Sequence, residues 1–183
     1  MLKYVILQSI KDMIFKSLHE NLLKKKINKS LLSLEAQNRA KPSPIKTLGC
    51  IVDPMFPVDV NNFINLANRI GLKDKDLKII TFQENDNGFN IFSNMNITPT
   101  SISFYGNLNG NDSLEFISYE YDLLVNFFNS NDVLTLLSSK ANAKFRIGFD
   151  SVDPRLNDLI FSNKIKKFKE FEKEFVKYLN LIK

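Results

Sequence analysis

KTLGCIVDPMFPVDVNNFINLANRIGLKDKDLKIITFQ, residues 46–83, decides the fold class. "KTLGCIVD" reads as a strand that enters a core and ends at Asp53. Val60, Phe63, Ile64, Ala67 and Ile70 then recur at helical spacing. Pro57 suits the first turn of that helix, and Gly71 stands where a helix stops. "LKIITFQ" is a second strand. Strand, helix, strand in this order implies a parallel pair joined by a right-handed crossover.

The pattern continues toward the C-terminus. Residues 84–100 are polar and turn-rich and read as a surface excursion. "SISFYG" (101–106) predicts a third strand. "DSLEFISYE" (112–120) predicts a short helix capped by Asp112 or Ser113. "DLLVNFF" (122–128) is almost wholly apolar, as a central strand is. Asn129-Ser130-Asn131 ends it, "DVLTLLSSK" makes a brief helix, and "AKFRIGF" (143–149) is a fifth strand. In the last segment Ile165, Phe168, Phe171, Phe175, Leu179 and Ile182 share one helical face, with Lys166, Lys169, Lys173 and Lys177 on another. The expected fold is α/β: a three-layer Rossmann-like or flavodoxin-like domain with a mostly parallel sheet of about five strands.

Upstream the character changes. Ile6, Ile10, Ile14, Leu18 and Leu22 recur every four residues, and Lys3, Lys11, Lys16 and His19 lie beside them. Lys24, Lys25, Lys26 and Lys29 crowd into the next turns, and Pro42 and Pro44 then break the helix. Residues 1–45 are expected to form a basic amphipathic arm and linker, and residues 46–183 the α/β domain.

Charge follows the same division. Of a net charge of +5, residues 1–48 carry +7, residues 49–161 carry −6 and residues 162–183 carry +4. Basic ends on an acidic middle suit an anionic partner, either the ribosome or another RNA, or the inner surface of a membrane. They equally suit basic terminal helices lying on their own acidic domain, or a homodimer through the terminal helices. The apolar fraction, 44%, provides a core, and sixteen Phe with no Trp make that core phenylalanine-rich. Cys50 is the only cysteine and sits inside an apolar strand, so it is expected to be an inert small hydrophobe in a reducing compartment. No apolar run reaches the ~20 residues of a membrane span, and no signal-peptide pattern is present; a cytoplasmic location is expected.

Most catalytic patterns are missing. One Cys and one His do not make the usual zinc set. A Ser-His-Asp triad would need His19, which lies on the basic arm. "GNLNGND" lacks the Gly-Lys-Ser/Thr ending of a phosphate loop, and Asp53-Pro54 follows the first strand where a dinucleotide fold carries glycines. No cofactor is expected.

The strand ends remain. In open α/β sheets ligands sit beyond the carboxyl ends of the strands. Asp53 ends the first strand; Asn126, Asn129 and Ser130 lie at the fourth; Asp150, Asp153 and Arg155 follow the fifth. Together they make a candidate crevice for a polar small molecule, although Asp and Asn at strand ends also cap helices and close turns. The candidates for an anionic partner are Lys11, Lys16, Lys24, Lys25, Lys26 and Lys29.

"KTLGCIVD", "YDLLVNFF" and "SSKANAKFRIGFDSVDPRLNDLI" resemble a family of small flavobacterial proteins of unknown function, which also have a lysine-rich N-terminal helix. The resemblance implies no activity. Residues 121–149 also look like the strand–helix–strand of heptosyltransferase-type glycosyltransferases that carries "A-x-x-R-I-G-F". Those enzymes hold their nucleotide-sugar donor in a second α/β domain, for which this chain is too short. The leading expectation is a non-enzymatic interaction module that uses its arm. The alternative is a small enzyme or ligand-binding protein that uses the crevice.

Overall fold

The computed structural model describes residues 2–37, 39, 43–56, 58–84, 95–163, 165 and 167–181, with side chains from residue 10 to residue 179. Pro42, Pro57, residues 85–94, Lys166 and Ile182, all used in the sequence reading, lie outside the described residues, as do the side chains of Lys3 and Ile6. In chain order the elements are α1 (Leu2–Glu35), β1 (Leu48–Val52), α2 (Val60–Arg69), β2 (Leu77–Phe82), β3 (Met95–Ile97) and α3 (Asn111–Ser118). They continue with β4 (Glu120–Phe127), α4 (Asp132–Lys140), β5 (Asn142–Phe149), β6 (Leu159–Phe161) and α5 (Phe168–Leu181).

Six strands form one parallel sheet in the order β3-β2-β1-β4-β5-β6. β1 is buried at every position, and β4 at every position after its first. Continuous apolar strands need cover on both faces, which places them at the centre. The strand order reverses between β1 and β4, so the fold is Rossmann-like with its switch point there.

Two expectations about strands change. "SISFYG" is not the third strand; β3 lies just before it. Pro99 opens a single 3-10 turn over Pro99–Ser101, and Gly106, at φ 72°, closes a tight turn in which Gly106 N donates to Ser103 O. The segment keeps one bridge, Ile102 to Leu108. The sixth strand, β6, went unread because it has three residues and follows a turn-rich loop. At the end of α2, Gly71 sits just past the cap with φ 87°, as its position suggests. At the start of α3 the cap is Gly110, and the Asp112 carboxylate instead accepts from Asn96 N on β3.

One face of the sheet carries α2 and α5. Phe127 is its hub, with ring centroids 5.2–5.7 Å from Phe63, Phe149, Phe168 and Phe171. Such tilted and edge-on pairs favour a fixed core over a fluid one. Cys50 is wholly buried in the same cluster, and burial pushes its thiol pKa up, away from reactivity.

The other face carries α3, α4 and the second half of α1. Leu23, Ile27, Leu31 and Leu34 of α1 are buried against Leu134 and Leu137 of α4 and Leu156 beyond β5. Within the stretch expected as arm and linker, residues 23–34 are thus part of the core. Asn28 meets Arg155 beyond the carboxyl end of β5, whereas Leu34 shares a groove with Ala141, Asn142 and Ala143 at the start of β5. α1 therefore runs antiparallel to the strands. Its first 21 residues extend past the carboxyl ends of the sheet for about 30 Å.

Candidate functional site

The polar residues expected at the sheet's carboxyl edge engage separate partners along it rather than one common point. Asp53 is buried at the switch point. Its N–H donates to Phe127 O, and its Oδ1 accepts from Met55 N at 3.0 Å, which starts the turn toward α2. Its second oxygen has no hydrogen bond among the described residues. Asn129 Oδ1 accepts from Ser151 Oγ at 2.8 Å and links the ends of β4 and β5; Ser130 is exposed beside it. Asn131, the next residue, caps α4 by accepting from Leu134 N. Asp150 Oδ1 accepts from Asn163 N.

Asp153 and Arg155 turn toward α1. Arg155 Nε and Nη2 reach the two oxygens of Asp153 at 2.9 and 2.7 Å, and Arg155 Nη1 donates to Asn28 of α1. The guanidinium holds the Asp153 carboxyl below the usual aspartate range.

Asn126 lies wholly inside, where its Nδ2 donates to Asn157 Oδ1 at 2.7 Å. Asn126 Oδ1 and Asn157 Nδ2 have no hydrogen-bond partner among the described residues. Asn157 was not singled out in the sequence, and its neighbours show why "AKFRIGF" and "DPRLNDLI" stand out as segments. Arg146 Nη2, Nη1 and Nε reach the carbonyls of Ala141, Ala143 and Ser138 and close the C-terminus of α4. Asp158 accepts from Arg146 N at 2.7 Å and pairs with Arg39 Nε at 3.0 Å. Arg39 also donates to the carbonyls of Arg155 and Leu156. The two segments form a clamp that binds α4, β5, β6 and the chain after α1.

The second candidate region is the first half of α1. Ile10, Met13, Ile14, Phe15 and Leu18 are 44%, 64%, 54%, 50% and 49% exposed. At 100° per residue, Ile10, Ile14 and Leu18 point opposite to the buried Leu23–Ile27–Leu34 face. A soluble surface helix keeps its apolar residues toward the core; this one carries them on the outside. The turn after β3 extends the patch. Phe104 and Tyr105 are exposed at its tip; the Phe104 ring lies 6.1 Å from Phe15 and 5.9 Å from His19. His19 is half-buried, and its Nδ1 lies 3.0 Å from Phe104 O.

Lysines follow the apolar stretch. Lys11, Lys16, Lys24, Lys25 and Lys29 are exposed and make no ion pair among the described residues; Lys26 is half-buried beneath Gly106. Leu18, Asn21, Leu22, Lys24, Lys25 and Asn28 line a shallow groove of about 460 Å³ where the apolar and basic parts meet. The sequence signalled this region through its four-residue repeat and its lysines. It did not signal the contribution of Phe104 and Tyr105, which were read as a strand. Among the described residues no helix is long and apolar enough to cross a membrane, and no cluster of metal-ligating side chains occurs.

A model described as a family of unknown function (DUF6913) matches residues 19–182. No curated protein and no solved structure matches the chain.

Proposed function

This chain belongs to the DUF6913 family of unknown function, and we propose that it is a non-enzymatic interaction module that docks on an anionic partner through α1. The observation that carries this reading is the exposed face of α1, where Ile10, Ile14 and Leu18 run into Lys24, Lys25 and Lys29 and stay exposed among the described residues. Exposed apolar surface of this kind marks an interaction site, and the unpaired lysines set the sign of the partner. The Rossmann-like domain is then the anchor: it buries Leu23, Ile27, Leu31 and Leu34 of α1, and the preceding turns of the helix lie beyond it. A location on the cytoplasmic side, at ribosomes or at the inner membrane surface, agrees with this role. The test is fractionation of the tagged full chain from gently lysed cells at low and high salt. Salt-sensitive recovery with ribosomes or membranes is expected. Recovery as a free species at both salt concentrations would overturn the proposal.

A second reading rests on the Asp53 oxygen that has no hydrogen bond among the described residues at the switch point, where Rossmann-like folds take their ligands. In this reading Asp53, with Asn129 and Ser130 at the neighbouring strand end, holds a small polar molecule. A thermal-shift screen with small polar metabolites, repeated on Asp53→Ala, tests it: a stabilising compound whose effect survives the substitution would rule it out.

A further inference from the structure

Resting on the docking role proposed above, we infer that the surface α1 meets is an anionic lipid layer, with the first half of the helix lying in the headgroup region. Three features lead there. First, the exposed side chains are large and apolar: Ile10, Met13, Ile14, Phe15 and Leu18 occur within nine residues, and Phe104 and Tyr105 add two aromatic tips at the same height. An RNA would engage the lysines through phosphates and leave these aliphatic side chains uncovered. A lipid interface takes both, because apolar side chains enter the acyl boundary while the lysine ammonium groups stay among the phosphates.

Second, the charge is complementary. Residues 10–29 carry six lysines against Asp12 and Glu20, and the lysines at 24, 25 and 29 point away from the domain. A second copy that pairs α1 with α1 brings the same excess of positive charge, whereas an anionic leaflet brings the opposite. Third, the apolar residues lie on several sides of the helix, since Phe15 and Met13 flank the Ile10–Ile14–Leu18 line. A single flat protein partner covers one side. A fluid interface wraps the helix to its own depth.

The experiment uses the full chain with phosphatidylcholine vesicles, with and without one third phosphatidylglycerol, in a co-sedimentation assay at low and high salt. Ribosomal RNA in a gel-shift assay serves as the competing anion. Binding to the anionic vesicles is expected to exceed binding to neutral ones by at least about tenfold at low salt. Ile14→Asp with Leu18→Asp is expected to lose at least about tenfold, and so is the triple change Lys24→Glu, Lys25→Glu, Lys29→Glu. Both variants alter exposed positions, and circular dichroism checks that they fold. Phe104→Trp gives an independent readout, because the chain has no tryptophan of its own. Its emission is expected to shift to the blue with anionic vesicles alone. Binding to RNA that the charge variant abolishes and the Asp variant leaves intact, with no vesicle binding, would overturn the lipid assignment and keep the docking role. A stable dimer that binds neither vesicles nor RNA would overturn both.

Discussion

Asn157 lays its side-chain amide across Gly148 so closely that a Cβ on residue 148 would stand 2.5 Å from Nδ2 and 2.7 Å from Oδ1. Only glycine leaves that space. Through it Asn157 reaches Asn126 on the neighbouring strand and fixes the loop before β6 on the sheet. Gly148→Ala is expected to destabilise the protein by about 3 kcal/mol, from overpacking and from the disturbed amide pair. Urea unfolding measures it. Adding Asn157→Ala to Gly148→Ala should cost less than the sum of the two single changes, because the clash partner is then gone. Strict additivity would mean that the two residues do not meet.

The Asp153–Arg155 pair makes a pH prediction. The guanidinium lowers the folded-state pKa of Asp153 below its unfolded value of about 3.9. A lowered acid contributes stability above the unfolded pKa and loses it as pH falls through the folded one. Arg155→Gln should therefore move the Asp153 carboxyl upward in an NMR titration and weaken the acid dependence of stability below about pH 4. An unchanged titration midpoint would show that the pair in the structure is not formed in solution.

The two halves of α1 should respond differently to mutation. Leu31, 2% exposed in the core, should cost about 2–5 kcal/mol when changed to Ala. Ile14→Asp, at a position more than half exposed, should change stability by no more than about 0.5 kcal/mol. Thermal unfolding of both variants decides this. A large loss at Ile14 would mean that something in the protein itself, including a second copy, covers it.

Much of the architecture was legible in the sequence because the central strands are apolar on both faces. β1, β4 and β5 read as strands from their own residues, and the apolar run of β4 marks it as central, whereas the order of the strands is set by pairings that no local pattern carries. Short edge strands left no such signal: Met95–Ile97 and Leu159–Phe161 have three residues each, too few for a period. Local propensity misled at Ser101–Gly106, where aromatic and β-branched residues make a tight turn whose exposed tips rest beside α1. The strand-end candidates carry no sign in the sequence of the partners they meet. Nothing in the spacing said that Arg155 would hold Asp153 and reach back to Asn28. The lysines and the four-residue repeat of α1 were plain in the sequence. That α1 divides at Leu23 into an exposed stretch carrying the repeat and a docked stretch carrying Leu23, Ile27, Leu31 and Leu34 depends on contacts made far along the chain.

The central claim is that apolar and basic residues of α1 act together on one anionic partner. The most direct measurement compares the sedimentation of three full-length chains from lysed cells at low salt. These are the parent, Ile14→Asp with Leu18→Asp, and Lys24→Glu with Lys25→Glu and Lys29→Glu. The parent is expected to sediment with a particulate fraction, and both variants are expected to be released from it, although each keeps its fold. Sedimentation of both variants like the parent would contradict it.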